Sequence, residues 1–446
     1  MSKLVFECNN CAQQLLKWQG CCPNCKAWNS INEQQTAINK KAASSQVMQQ
    51  LNNSSEEQAE FAKILSGFSE WDRVLGGGIV QGSINILTGD PGIGKSTLLL
   101  QIAHKLAENN EVFYFSSEES LHQVANRARR IIGKNSKLYF LAENNLDNII
   151  ATIKKEKPNL VIIDSIQNCF LESATTTSGS INQLRESGLA LMQLAKSQNI
   201  AIIITAHITK EGQMAGPKTL EHLVDTVFYL QGEDRWQIRV LRAVKNRFGP
   251  INELGFFEMH TDGLQEVSDI NKLLLESLSN APGAALVSYL EGSRPLLLEL
   301  QALTLPTKLN MPQRVITGIE HKHVILIAAI LEKYLKIKFS AQDIFFKVSG
   351  NFKIKTNSAD LGIALALLSS HLQTALPEKT IALGELSLTG SIKPIGQISA
   401  HLKEAERFGI KTCVLPKGTK VAANSKINLI FISSAYELLN LFPVQE

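Results

Sequence analysis

Residues 83–106 read SINILTGDPGIGKSTLLLQIAHKL, and this stretch decides the fold. The Ile-rich run SINILT predicts a buried strand, and LLLQIAHKL predicts a helix. Between them Gly89, Asp90, Pro91, Gly92, Ile93, Gly94, Lys95, Ser96 and Thr97 fit G-x-x-x-x-G-K-[ST] in the strand–loop–helix setting the motif requires. Glycines let backbone amides wrap phosphates, and the helix N-terminus adds its positive end. Lys95 is placed to reach the β- and γ-phosphates, and the Ser96 hydroxyl to hold Mg2+. The stretch predicts an ATP site.

Working outward, EVFYFSS, NLVIIDS, IAIIITA and DTVFYL repeat the strand pattern with helical stretches between them. Near-continuous apolar strands alternating with helices predict an α/β fold whose mostly parallel sheet is covered on both faces. Asp164 closes LVIID, where a Walker B carboxylate would join Ser96 at Mg2+; a helix N-cap is its plainer reading. Glu118 and Glu119 close FYFSSEES at the sheet edge where ligands bind, and one of them can orient the attacking water as general base. The plain alternative is a solvated pair. His207, after IIITA, is a weaker γ-phosphate candidate. WQIRVLRAVKNR (236–247) alternates and predicts an antiparallel edge hairpin. The block Lys245-Asn246-Arg247-Phe248-Gly249 follows it, and on residue chemistry alone reads as a solvated basic turn.

Seven cysteines are present, five of them within the first 25 residues. Cys8-x2-Cys11 and Cys22-x2-Cys25 form two knuckles that can place four thiolates tetrahedrally around one structural Zn2+. Cys21 is read as an unliganded neighbour, and Trp18 and Trp28 are expected to pack over the knuckles, with a surface role for one of them as the alternative. A redox CxxC would need a thioredoxin-like βαβ context, which is missing here. Cys169 and Cys413 read as small buried hydrophobes.

The 446 residues suggest about three domains. We expect a zinc-ribbon-like module over 1–33, a flexible Gln/Asn/Ser-rich linker over 34–63, an ATPase domain over 64–265 and a second α/β domain over 266–446. Hydrophobic residues at 44% and charged residues at 19% exclude a disordered or fibrous chain. The net charge of +4 gives no chain-wide nucleic-acid signal, so DNA contacts must be local patches. No 18-residue apolar run and no signal-like start (MSKLVFECNN) predict a soluble, cytoplasmic protein without a membrane partner.

The four-cysteine head, the segment Trp71-Asp-Arg-Val-Leu-Gly-Gly-Gly, the P-loop and KNRFG together resemble the RadA (Sms) family, bacterial DNA-repair relatives of RecA. The stretch from about 270 onward resembles the Lon-protease domain that this family carries. The resemblance implies a RecA-like core in a homo-oligomeric ring, a hexamer. It implies a DNA-dependent ATPase and translocase acting on single-stranded and branched DNA, promoting branch migration alongside a RecA-type recombinase. Lys95 and Ser96 match its nucleotide site, Glu118 its catalytic glutamate and Asp164 its Walker B acid. Lys245 and Arg247 match cations that reach a neighbouring subunit's γ-phosphate. The loops at 171–183 and 209–219 match DNA-contacting loops, with Lys210 and Lys218 as phosphate contacts.

Two other readings stand beside this one: an ATP-dependent Lon-like protease, and a non-translocating, ATP-gated recombination adaptor. Lon proteases pair a serine with an activating lysine. Ser358 stands at the nucleophile's place, but Ser399 stands at the lysine's, with Lys403 about one helical turn on. The domain is therefore expected to be non-proteolytic, serving ring assembly and a basic DNA surface drawn from Lys333, Lys336, Lys338, Lys347, Lys353 and Lys355, for any one of which a solvated lysine is the plainer reading.

Overall fold

Strand after strand, the Ile/Val-rich runs form sheets in the computed structural model. It describes residues 4–11, 13–15, 17–35, 62–133, 136–174, 178–207, 218–233, 238–251, 253–276, 278–308, 311–421 and 426–442. The chain divides into two compact units, Met1–Ala59 and Glu60–Glu446.

The first unit is a three-stranded antiparallel ribbon of β1 (Leu4–Cys8), β2 (Gln14–Leu15) and β3 (Ile31–Gln35), ordered β2-β1-β3. Cys8, Cys22 and Ile31 form its small core, with Phe6 and Leu15 against them. The tryptophans do not pack over the knuckles as expected. Trp18 is 59% exposed and Trp28 76%. So small a core, filled largely by cysteine, offers no apolar seat for an indole.

In the second unit, a short pair of β4 (Lys63–Ile64) and β5 (Ile79–Val80) brackets the helix Ser69–Leu75. Nine strands then form one sheet: β6 (Ile84–Gly89), β7 (Val112–Ser116), β8 (Tyr139–Ala142), β9 (Leu160–Asp164), β10 (Ala201–His207), β11 (Thr226–Glu233), β12 (Ile238–Asn246), β13 (Leu254–His260) and β14 (Gly263–Glu266). Their order is β14-β13-β12-β11-β6-β10-β9-β7-β8, parallel from β11 to β8 and antiparallel beyond β11. The P-loop strand β6 is thus interior, wholly buried, with RecA-like topology around it. The alternating run is antiparallel as expected, but β12 is not an edge. Its two faces pack on different cores, Leu241 and Ala243 on one side and Ile238 and Val240 on the other, so β13 and β14 continue the sheet past it.

A second sheet holds β15 (Ala284–Glu291), β16 (Arg294–Pro306), β17 (Arg314–Thr317), β18 (Gln342–Val348) and β19 (Thr380–Ala382). A small hairpin, β20 (Glu385–Leu386) and β21 (Ile392–Lys393), precedes its last strands, β22 (Thr412–Pro416) and β23 (Asn428–Ile432). The order is β17-β18-β16-β15-β19-β22-β23. The helix Asp360–Leu372 is buried from Asp360 through Ser370, and Gly362 lets it approach β15: a Cβ there would lie 2.0 Å from Val287. The two sheets share one core, since Ile238, Val240, Leu254 and Phe256 cluster with Val287, Leu298 and Val324. A buried ion pair joins them as well, with Arg294 donating to Glu70 at 2.6 Å. Among the described residues, no helix is long and apolar enough to cross a membrane.

Candidate functional site

The P-loop turns from β6 into the helix Lys95–Leu106 through Gly89, Gly92 and Gly94, all at positive φ. At Gly89 the need is steric as well, because a Cβ would meet the Leu230 carbonyl oxygen at 2.2 Å. Lys95 is 4% exposed, and its Nζ donates to the carbonyls of Gly89 (2.8 Å) and Asp90 (3.0 Å). Burial pulls its pKa down, while Asp164, Glu118 and Asp90 push it back up. The ammonium therefore lies at the mouth of the loop with carboxylates around it, in a place suited to a polyphosphate.

Asp164 ends β9, nearly buried, and both of its oxygens are held. Tyr114 Oη of β7 donates to Oδ2 and Thr205 Oγ1 of β10 to Oδ1, each at 2.7 Å. Burial and the neighbouring Asp164 raise the Tyr114 pKa, which keeps that hydroxyl a donor. Ser165 follows, and its hydroxyl donates to Glu118 at 2.8 Å. Ser117 Oγ closes the local network on the Ser165 carbonyl at 2.6 Å. Glu119 faces elsewhere, in a two-point pair with Arg127 at 2.8 and 2.5 Å. So the structure gathers Lys95, Asp164 and Glu118 at one strand end. It separates Glu119 from them by giving it its own cation. Tyr114, Thr205, Ser165 and Arg127 were not singled out from the sequence. They come from different strands and a helix, and no local pattern marks them. His207 pairs by backbone with Gly89, and its side chain lies outside the described residues.

Lys245 and Arg247 lie at the opposite end of β6. Lys245 Nζ donates to the carbonyls of Glu221 (2.5 Å) and Val224 (2.7 Å). Arg247, with its side chain 56% exposed, reaches Asp225 at 3.3 Å, and Asp225 in turn accepts from the Ile84 amide at 3.1 Å. Ile84 opens the strand and Gly89 closes it, so Arg247 and its own P-loop stand roughly 17 Å apart along the strand. The turn packs tightly on the Gly76-Gly77-Gly78 segment, where a Cβ at Gly249 would meet Gly76 Cα at 2.7 Å. Lys210 lies outside the described residues, as does the side chain of Lys218, whose backbone opens the short helix Lys218–Glu221.

In the head, the sulfurs of Cys8, Cys11, Cys22 and Cys25 all lie within 4.8 Å of one another. The Cys8 and Cys25 sulfurs lie 3.6 Å apart and those of Cys11 and Cys22 3.5 Å. A tetrahedral Zn–S shell needs sulfurs about 3.8 Å apart, so this donor set fits one metal ion. Cys21 turns its thiol to the Cys22 carbonyl. In the C-terminal sheet, Ser358 Oγ shares a hydrogen bond with Thr356 Oγ1 at 2.8 Å, and Ser399 and Lys403 are exposed on the helix Ile398–Arg407. A cavity of about 570 Å3 alongside is lined by Lys322, His323, Lys353, Lys355 and Asn357, among others.

Residues 6–33 match the family model described as a rubredoxin metal binding domain, 51–213 an AAA domain, and 315–419 the subunit ChlI of Mg-chelatase. The chain is 40% identical over 424 residues to the DNA repair protein RadA of Bacillus subtilis, with 93% of each chain covered. It is 41% identical over 426 residues to that of Listeria monocytogenes, covering 93% of this chain and 92% of the relative. To the Aquifex aeolicus RadA it is 38% identical over 420 residues, covering 94% and 95%.

Proposed function

Because the chain belongs to the RadA family of DNA repair proteins, we propose that it is a DNA-dependent ATPase and translocase of recombinational repair. In this reading it binds single-stranded and branched DNA in the cytoplasm and extends branch migration beside a RecA-type recombinase. The observation that carries the reading is the split of charged groups between the two ends of β6. Lys95, Asp164 and Glu118 gather at one end, and the exposed Arg247 stands at the other.

Such a site is half of a composite one, completed when a neighbouring copy brings its Arg247 to the phosphates. A closed ring, a hexamer, repeats that contact around its circumference. At each interface Lys95 and the loop amides hold the β- and γ-phosphates of ATP. Ser96 and Asp164 hold Mg2+, whose charge offsets that of the phosphates. Tyr114 and Thr205 keep Asp164 oriented, and Glu118 positions the attacking water and takes its proton. Lys245, anchored on two carbonyls, fixes the base of the turn that presents Arg247. Lys210 and Lys218 contact DNA phosphates, and the four cysteines hold a structural Zn2+. The lysines of the C-terminal cavity suit an anionic strand better than a peptide, and Ser358 without an activating lysine leaves protease chemistry unsupported.

The deciding measurement is ATP hydrolysis with and without single-stranded DNA. Turnover should rise severalfold with DNA, and Lys95→Ala should abolish it. An ATPase rate indifferent to DNA would favour the gated-adaptor reading instead.

A further inference from the structure

Two indoles on the metal-binding head face solvent although tryptophan side chains are costly to leave in water. Trp18 is 59% exposed and Trp28 76%. Both converge on the same backbone point: a Cβ placed on Gly20 would lie 3.8 Å from Trp28 Cζ3 and 3.9 Å from Trp18 Cη2. Glycine there leaves the floor between the rings bare.

The backbone beneath is fixed. The Cys22 amide donates to the Ala27 carbonyl and the Asn29 amide to the Gly20 carbonyl, each at 3.0 Å. Cys21 and Trp28 form an antiparallel bridge across the second knuckle. The rings are therefore presented by a rigid, four-thiolate scaffold, with little ordering left to do on binding.

The described charges beside them are basic. Each indole follows a lysine in the chain, Lys17 before Trp18 and Lys26 two residues before Trp28, and both lysines are exposed. No acidic side chain lies among the described side chains of the head. Paired exposed aromatics interleaved with cations are what unpaired nucleic-acid bases require. Their faces stack on the rings while the adjoining phosphates meet the lysines, with no need to read a sequence. A protein partner of apolar surface would be served by the indoles but not by the two flanking cations.

We propose that Trp18 and Trp28 form a base-stacking platform for single-stranded DNA, flanked by Lys17 and Lys26 as phosphate contacts. The inference rests on the proposed DNA-dependent function and names a surface of contact outside the ATPase core.

The test uses the full chain and a fluorescein-labelled oligo(dT), with affinity read by anisotropy. Trp18→Ala/Trp28→Ala should weaken binding roughly tenfold or more. Trp18→Phe/Trp28→Phe should keep affinity within about threefold of wild type, since phenylalanine also stacks. Metal content per chain should be unchanged in both variants, which separates lost stacking from a lost fold. An abasic strand of equal length should be bound equally by wild type and the alanine variant. Oligo(dT) affinity equal to wild type in the alanine variant would overturn the platform while leaving the ATPase reading intact. So would an equal loss on the abasic strand. A wild-type chain that bound no oligo(dT) at all would instead sink the single-stranded DNA reading from which the inference starts.

Discussion

At the scale of single residues, adjacent glutamates with identical chemistry have different surroundings. Glu118 accepts from Ser165 beside the P-loop lysine, whereas Glu119 is occupied by Arg127. Glu118→Gln should therefore cut turnover by about 10²-fold or more with nucleotide affinity kept. Glu119→Gln should leave turnover within tenfold and cost at most about 1 kcal/mol of stability, since its ion pair is partly exposed. Steady-state ATPase assays decide it, and a dead Glu119→Gln beside an active Glu118→Gln would reverse the assignment. His401 makes a different kind of prediction. It is buried against the Ser288 hydroxyl at 2.8 Å, and burial brings its pKa from 6.5 down to about 4. The folded chain keeps it neutral while the unfolded chain protonates it, so its contribution is intact above pH 6.5 and is lost as pH falls toward 4. The loss amounts to about 3 kcal/mol at most. The stability difference between wild type and His401→Gln should slope across that window and flatten above pH 7. A constant difference from pH 4 to 8 would refute it.

Among the elements, the helix Ser69–Leu75 is tied into the second sheet by a pair that no periodicity reveals. Glu70 accepts from Arg294 at 2.6 Å and from the Phe256 amide at 2.9 Å, and the Arg294 guanidinium lies 4.9 Å above the Phe256 ring. Glu70→Ala would strand a buried guanidinium and should cost about 3–5 kcal/mol in denaturant unfolding, with Arg294→Ala on top of it costing less than its own single change. Strict additivity of the two would show that they do not act as a pair. The P-loop and the cysteine knuckles were legible because their chemistry demands contiguous residues at fixed spacing. Asp164 was legible as a strand end, but Tyr114 and Thr205, which hold it, arrive from neighbouring strands 50 and 41 positions away. Alternation in residues 236–247 revealed an antiparallel strand. It could not reveal what covered each face, so β12 read as an edge and the apolar run beyond it was passed over. The tryptophans misled for a related reason: a large apolar residue near a knuckle suggests packing, but the core beside it is too small.

For the molecule as a whole, the separation of Arg247 from its own P-loop predicts complementation. A Lys95→Ala subunit can still lend Arg247 to a neighbour, and an Arg247→Ala subunit still carries an intact P-loop. Mixed together, two nearly inactive proteins should regain measurable DNA-stimulated ATPase. If subunits exchange and no activity returns at any ratio, Arg247 acts within its own chain or on DNA. The core shared by the two sheets has a further consequence for how the protein can fail. Ile238, Val240, Leu254 and Phe256 are covered by the C-terminal half, so a chain cut near residue 265 would bare a greasy flank, not release a smaller motor. Such a fragment should clump, and heat should melt everything from residue 60 onward in a single step. Damage that unfolds the C-terminal half should then disable the engine with it, even where it touches neither nucleotide nor DNA.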